Sequence, residues 1–292
     1  MLCNFGVRRG VPDDLPPDWS IRRALPSQYR NSWVFLLLPC TFLLCPRIEI
    51  LINLSSESSR TLLWVYRDGR EEPLGAPPNP YRFPQISQDG TRLAVSVSTA
   101  GKMDIWVWNF NQKTLTRLTF DEGGVCPLWT PDSERIVFSS TSKSKYPSVS
   151  WKAADGTGEV EQLGSMPDRG LLPMSLSSDG STLVTQEMPP ESTASLDIGI
   201  ISMKGNREPK TLLHEKYGEM QPRISPDGQW MAYSSNESGH VEVYVRPFPE
   251  VNKGRWQIST GQEYADSPLW SPDSRKIFYR YADAVMEVSV KT

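Results

Sequence analysis

One four-residue turn recurs five times along this chain, and no other feature narrows its fold as far. The copies are Ser87-Gln-Asp-Gly90, Thr130-Pro-Asp-Ser133, Ser177-Ser-Asp-Gly180, Ser225-Pro-Asp-Gly228 and Ser271-Pro-Asp-Ser274. Their first residues are spaced by 43, 47, 48 and 46 positions. The flanks repeat as well. Three residues before each turn stands Pro84, Pro127, Met174, Pro222 or Pro268, and immediately before it Ile86, Trp129, Leu176, Ile224 or Trp270. After each turn comes an apolar pair, from Leu93-Ala94 to Ile277-Phe278. Proline at the second turn position presets φ, the Asp side chain caps its own backbone, and Gly accepts positive φ. Each copy therefore joins two antiparallel strands by a tight hairpin.

A third strand follows each turn: Asp104-Ile-Trp-Val-Trp108, Val149-Ser-Trp151, Leu196-Asp-Ile-Gly-Ile200, Val241-Glu-Val-Tyr-Val245 and Val285-Met-Glu-Val288. Several alternate with period two, the signature of a strand. A weaker fourth strand follows in four units, around Leu118-Thr119, Leu163, Leu212-Leu213 and Ile258-Ser259. Four antiparallel strands repeated every 43 to 48 residues describe a propeller blade. The expected fold is an all-β propeller of four-stranded blades. Thr61-Leu-Leu-Trp-Val-Tyr66 and Pro73-Leu74 read as the third and fourth strands of a further blade, and the last unit stops after three strands. Five to six blades are allowed. The expectation is a six-bladed type with an incomplete or shared terminal blade.

The chain divides at residue 60. Residues 61–292 are the propeller, and residues 1–60 read as an irregular leader. Within the leader, residues 33–45 form an apolar run of 13, and apolar character continues to Leu54. Thirteen falls short of the ~20 residues that span a bilayer. With Arg22, Arg23 and Arg30 before it, the segment 33–54 reads as a signal or membrane anchor that would leave the propeller extracytoplasmic. The competing reading is a leader that folds with nothing, in a cytoplasmic protein.

The turns Phe83-Pro84…Ser87-Gln-Asp-Gly90-Thr-Arg-Leu-Ala94 and the strand Asp104-Ile-Trp-Val-Trp108 resemble the TolB-like (WD-repeat-like) propeller. Trp64-Val-Tyr-Arg-Asp-Gly-Arg-Glu-Glu-Pro-Leu74, Trp151-Lys-Ala-Ala-Asp-Gly156, Val243-Tyr-Val-Arg-Pro-Phe-Pro249 and Trp256-Gln-Ile-Ser-Thr-Gly261 extend the likeness over residues 61–292. The match resembles most the C-terminal propeller of bacterial receptor-type serine/threonine protein kinases, which implies a sensor or interaction domain. No kinase loop precedes the repeat, so kinase activity is not carried over.

The chemistry-bearing patterns are sparse. No GxSxG elbow and no GxxxxGK[ST] or GxGxxG loop occurs. Only His214 and His240 are present, and both read as loop or surface residues. The five turn residues Asp89, Asp132, Asp179, Asp227 and Asp273 read as hairpin caps rather than a ring of ligands. Trp129 and Trp270 recur at one position and read as blade packing; Trp106 and Trp108 alternate on one strand and leave an exposed aromatic patch as a second reading. No catalytic, cofactor or metal residue is assigned. A net charge of −3 argues against nucleic acid as a partner.

Two functions remain. The first is a non-catalytic binding or scaffold domain that takes a protein or small ligand at the channel mouth or blade loops. The second is the substrate-gating propeller of a prolyl-oligopeptidase-like hydrolase whose catalytic domain is absent; an inactive fragment is the remaining alternative.

Overall fold

The computed structural model describes residues 20–23, 34–37, 47–52, 60–66, 70–99, 101–120, 123–142, 144–190, 195–261, 263–282 and 284–290. Most of the leader lies outside the described residues; of the expected targeting segment 33–54, residues 34–37 and 47–52 are described, and both are strands of a propeller sheet. Among the described residues no helix is long and apolar enough to cross a membrane.

The chain opens with β1 (Ser20–Arg23). One sheet is then built in order from β2 (Val34–Leu37), β3 (Arg47–Ile52), β4 (Leu63–Tyr66) and β5 (Glu71–Pro73). The first repeat forms β6 (Tyr81–Ile86), β7 (Arg92–Thr99), β8 (Lys102–Asn109) and β9 (Thr114–Arg117). The second forms β10 (Val125–Trp129), β11 (Arg135–Ser140), β12 (Ser148–Ala153) and β13 (Glu161–Gly164). The third forms β14 (Gly170–Leu176), β15 (Thr182–Met188), β16 (Asp197–Ser202) and β17 (Lys210–Leu213). The fourth forms β18 (Glu219–Ile224), β19 (Trp230–Ser235), β20 (Glu242–Pro247) and β21 (Trp256–Gln257). The last holds β22 (Ala265–Trp270), β23 (Lys276–Tyr281) and β24 (Ala284–Ser289). All pairings are antiparallel.

Five sheets thus carry the five repeats, and a sixth holds β2 to β5. Thr61–Tyr66 and Pro73 do supply a third and a fourth strand, as the sequence indicates, and β2 and β3 complete their sheet. The terminal blade is shared. β1 pairs with β24, from Ser20 opposite Ser289 to Arg23 opposite Met286, and becomes its fourth strand. The first strands of successive sheets adjoin, and β2 lies against both β6 and β22. The β1–β24 pairing covers a strand edge that would otherwise invite pairing with another chain.

The core lies between sheets. Middle strands are covered on both faces, so alternation there separates two apolar layers rather than core from solvent. On β7, Leu93, Val95 and Val97 face Leu62 and Ala76 of the preceding sheet, while Ala94 joins Trp129, Ile136 and Phe138 of the next. On β11, Val137 turns forward to Leu171 and Leu183. On β19, Met231 and Tyr233 face back towards Val184 and Ile198, and Ala232 faces forward to Trp270 and Ile277. Trp108 is buried in the first of these layers with Trp106 packed against it, so this pair belongs to the core.

Candidate functional site

The recurrent turns build one mouth of the central channel. In each, the Asp carboxylate accepts from the first residue's hydroxyl and from the backbone two residues on. Asp179 takes the Ser177 hydroxyl at 2.6 Å and the Ser181 amide at 3.0 Å; Asp132 takes the Glu134 amide at 2.9 Å; Asp273 takes the Ser271 hydroxyl at 2.6 Å. The Ser177 hydroxyl, followed by the Ser181 amide, holds Asp179 down to about 2. These oxygens are committed to their own hairpins, as the sequence suggests. Neighbouring turns are tied together: Ser133 Oγ accepts from the Asp89 amide, Ser274 Oγ accepts from the Asp227 amide, and Ser178 donates to the Pro226 carbonyl.

Below the turns, the innermost strands carry a bulge. The register slips between Arg82 and Gln85, Val125 and Leu128, Met220 and Arg223, and Asp266 and Leu269. At each slip the residue before proline has positive φ: Phe83 (50°), Cys126 (53°), Gln221 (54°) and Ser267 (56°). In the third repeat Pro173 takes that place; its ring fixes a negative φ, and the slip falls between Pro173 and Ser175. The bulge turns backbone amides sideways. Gln186 Oε1 accepts the Gln221 amide at 3.0 Å, and Gln221 Oε1 accepts the Ser267 amide at 2.8 Å, linking three successive blades.

Two cavities with part of their lining in common lie here. The larger, about 420 Å³, is lined in layers set by the repeat. At the rim stand the second turn residues Gln88, Pro131, Ser178, Pro226 and Pro272; below them lie Ile86, Trp129, Leu176, Ile224 and Trp270; deeper are Gln85, Leu128, Ser175, Arg223 and Leu269. The smaller, about 170 Å³, continues past Cys126, Met174 and Gln221. Gln85, Leu128, Arg223 and Leu269 line both. Arg223 is the one charged residue lining either cavity among the described residues. It donates to the Met174 carbonyl, and no carboxylate pairs with it among the described residues. Burial pulls its guanidinium down to about 10. Burial likewise pushes the Cys126 thiol up to about 12, so this buried free cysteine stays protonated at neutral pH.

Of the other sequence candidates, the two recurrent tryptophans line this channel and the two histidines do not. Trp129 and Trp270 line it while their Nε1 atoms donate across blade boundaries. His240 is exposed. His214 pairs with buried Asp197 at 2.8 Å, and that hydrogen bond raises its pKa. It occupies the place where Thr119 bonds Asp104 and Ser259 bonds Glu242, so it locks a blade as those hydroxyls do. Among the described residues no group of His, Cys, Asp and Glu has an arrangement that could hold a metal ion. Arg223 was not among the sequence candidates. Aligning the repeats on their turns places it level with Gln85, Leu128, Ser175 and Leu269, and that column is the signal.

No family model matches the chain, and none of the curated proteins matches it. Solved structures do. A TolB from Agrobacterium tumefaciens superposes with a TM-score of 0.62 at 15% identity, over 73% of this chain and 75% of that one. The chain has a TolB-like β-propeller fold. TolB from Acinetobacter baumannii gives a TM-score of 0.59 at 17% identity over 89% of this chain, which spans 63% of that protein. A prolyl endopeptidase gives 0.57 at 15% identity over 84% of this chain, which spans 40% of that protein. At these identities the likeness is one of fold.

Proposed function

We propose that this TolB-like propeller is a non-catalytic binding domain whose ligand, a protein segment or a small molecule, enters the channel at the turn face. One observation supports the reading above the rest: a cavity of about 420 Å³ whose rim is exposed and whose floor carries one uncompensated charge. A concave, mostly apolar pocket with a few converging polar groups is what ligand sites share. The resemblance to receptor-kinase propellers makes a sensor the finer form of this reading.

The test plugs the mouth. Gln88 and Ser178 stand where Pro131 stands, so the turn accepts residues other than proline there. Pro131→Trp should fill the rim and keep the hairpin. Library ligands retained by the unaltered protein should be lost from this variant. Equal retention by both, or turnover of a retained compound, would overturn the reading.

The likeness to a prolyl endopeptidase favours a second reading, in which the propeller gates substrate for a hydrolase supplied separately. Stimulation or restriction of such a hydrolase by the added chain, lost in Pro131→Trp, would support it over the first.

A further inference from the structure

The channel is apolar at its upper layers and cationic at one point on its floor. Trp129, Trp270, Ile224 and Leu176 wall the larger cavity above Arg223. Arg223 is half-buried, with no carboxylate beside it among the described residues. Its acceptor is the Met174 oxygen, on one side of its five-donor fork, and the other side is left to face the cavity. The other four repeats place Gln, Leu, Ser and Leu at the same level, so neither the turn nor the bulge requires a cation there. Its one bond in the blade packing is that to the Met174 carbonyl of the preceding blade, which leaves most of the fork uncommitted; the contact across the other boundary, from Trp270 Nε1, goes to the Arg223 backbone carbonyl, which any residue supplies.

Resting on the channel as the binding site, we infer that Arg223 is an anion anchor and that the channel takes a small carboxylic acid with an apolar body. The carboxylate accepts from the free edge of the guanidinium, a bidentate geometry that Arg is built to offer. The apolar body lies against the Trp129 and Trp270 rings. The rim aspartates do not oppose entry by free charge alone: each holds its own hairpin's donors, Arg92 lies 3.7 Å from Asp89, and none of the five lines the cavity. Gln85 and Ser175, level with Arg223, add neutral polar groups but no second charge. A monocarboxylate therefore fits better than a di-anion or a phosphate.

The experiment compares three probes of one shape on the full chain by calorimetry: 3-phenylpropionate, 3-phenylpropanamide and 3-phenylpropylamine. The acid should bind at least about tenfold more tightly than the amide, the difference a charge-assisted hydrogen bond brings. Indole N–H resonances of Trp129 and Trp270, assigned through their Phe variants, should shift with the acid. Arg223→Gln should remove the preference, and Arg223→Lys should keep part of it. The comparison on the unaltered protein stands even where a variant fails to fold. Equal binding of acid and amide with both indoles shifting would overturn the anion anchor while leaving the channel as the binding site. Preference for the amine, equal binding of inorganic phosphate, retention of the preference in Arg223→Gln, or no binding of the acid would each overturn the inference.

Discussion

The indole Nε1–H of Trp270 donates to the backbone carbonyl of Arg223 at 3.0 Å, from one blade to the blade before it. Trp129 makes the same bond to Gln85 at 2.9 Å three blades earlier. Each tryptophan thereby ties its blade to the innermost strand of the blade before it. Trp270→Phe keeps most of the ring volume and removes the donor. The bond between blades is lost, and the expected cost is ~0.5–1.5 kcal/mol. Trp129→Phe should cost a similar amount. The two sites share no partner, so the double variant should equal their sum within ~0.5 kcal/mol. Urea unfolding checks all three. Variants as stable as the parent would show that the carbonyls need no donor.

The turn aspartates make the acid limb of stability steep. Hydrogen bonds from Ser177 and Ser181 hold Asp179 from 3.8 down to about 2, and the Thr130 hydroxyl followed by the Glu134 amide lowers Asp132. A lowered carboxyl pKa means that the folded state binds fewer protons than the unfolded chain. The stabilisation is present above 3.8 and is lost as pH falls towards about 2. Melting temperature should drop across that window, and the drop should be shallower in Asp179→Asn. An unchanged slope in that variant would remove the hairpin bonds as its cause.

Glu219 works in the opposite direction. Burial first, then the nearby Asp197 and Glu215 carboxylates, push it up to about 7. Here the folded state binds the extra proton. Its stabilisation is complete below 4.5 and is lost as pH rises through about 7. Glu219→Gln should flatten this decline, leaving the variant more stable than the parent above neutrality by ~1–3 kcal/mol. Urea midpoints on either side of neutrality would show it. A parallel pair of pH profiles would mean that Glu219 stays ionised in the folded protein.

What could be read in advance follows from which forces are local. The Ser-Pro-Asp-Gly turn is fixed by four adjacent residues, so Ser225–Gly228 announces its hairpin from sequence alone. The middle strands were legible as strands, but their two buried faces were not. Val137 and Phe138 look alike on paper, and only the neighbouring sheets decide which layer each enters. The pairing of Ser20–Arg23 with β24 joins the two ends of the chain, and no turn motif marks it. The column holding Arg223 was visible as an alignment of repeats. That it lines a channel depends on the bulge at Gln221-Pro222, where a residue before proline takes positive φ against its usual preference. Fold was therefore carried by turn chemistry, and the site by departures from the repeat.

One glycine tests how tightly the third blade is built. Gly199 stands opposite Thr185 on adjoining strands. A Cβ at Gly199 would overlap Glu187 Oε1 and come within 2.8 Å of Thr185 Oγ1. Glu187 cannot swing aside freely: its other oxygen accepts from Arg169 at 3.0 Å and from Thr211 at 3.0 Å, and the side chain is fully buried. Gly199→Ala should therefore cost ~1–3 kcal/mol, the range for overpacking a filled interior. The cause is separable from a general preference for glycine. Glu187→Ala removes the atom in the way, at the expense of leaving Arg169 with Asp197 and Asp168 alone. In the Glu187→Ala background the added methyl should cost less, with only the Thr185 Oγ1 contact left to relieve, so the two substitutions should be non-additive in a double-mutant cycle. Additive losses would place the need for glycine in the backbone rather than in the carboxylate packed against it.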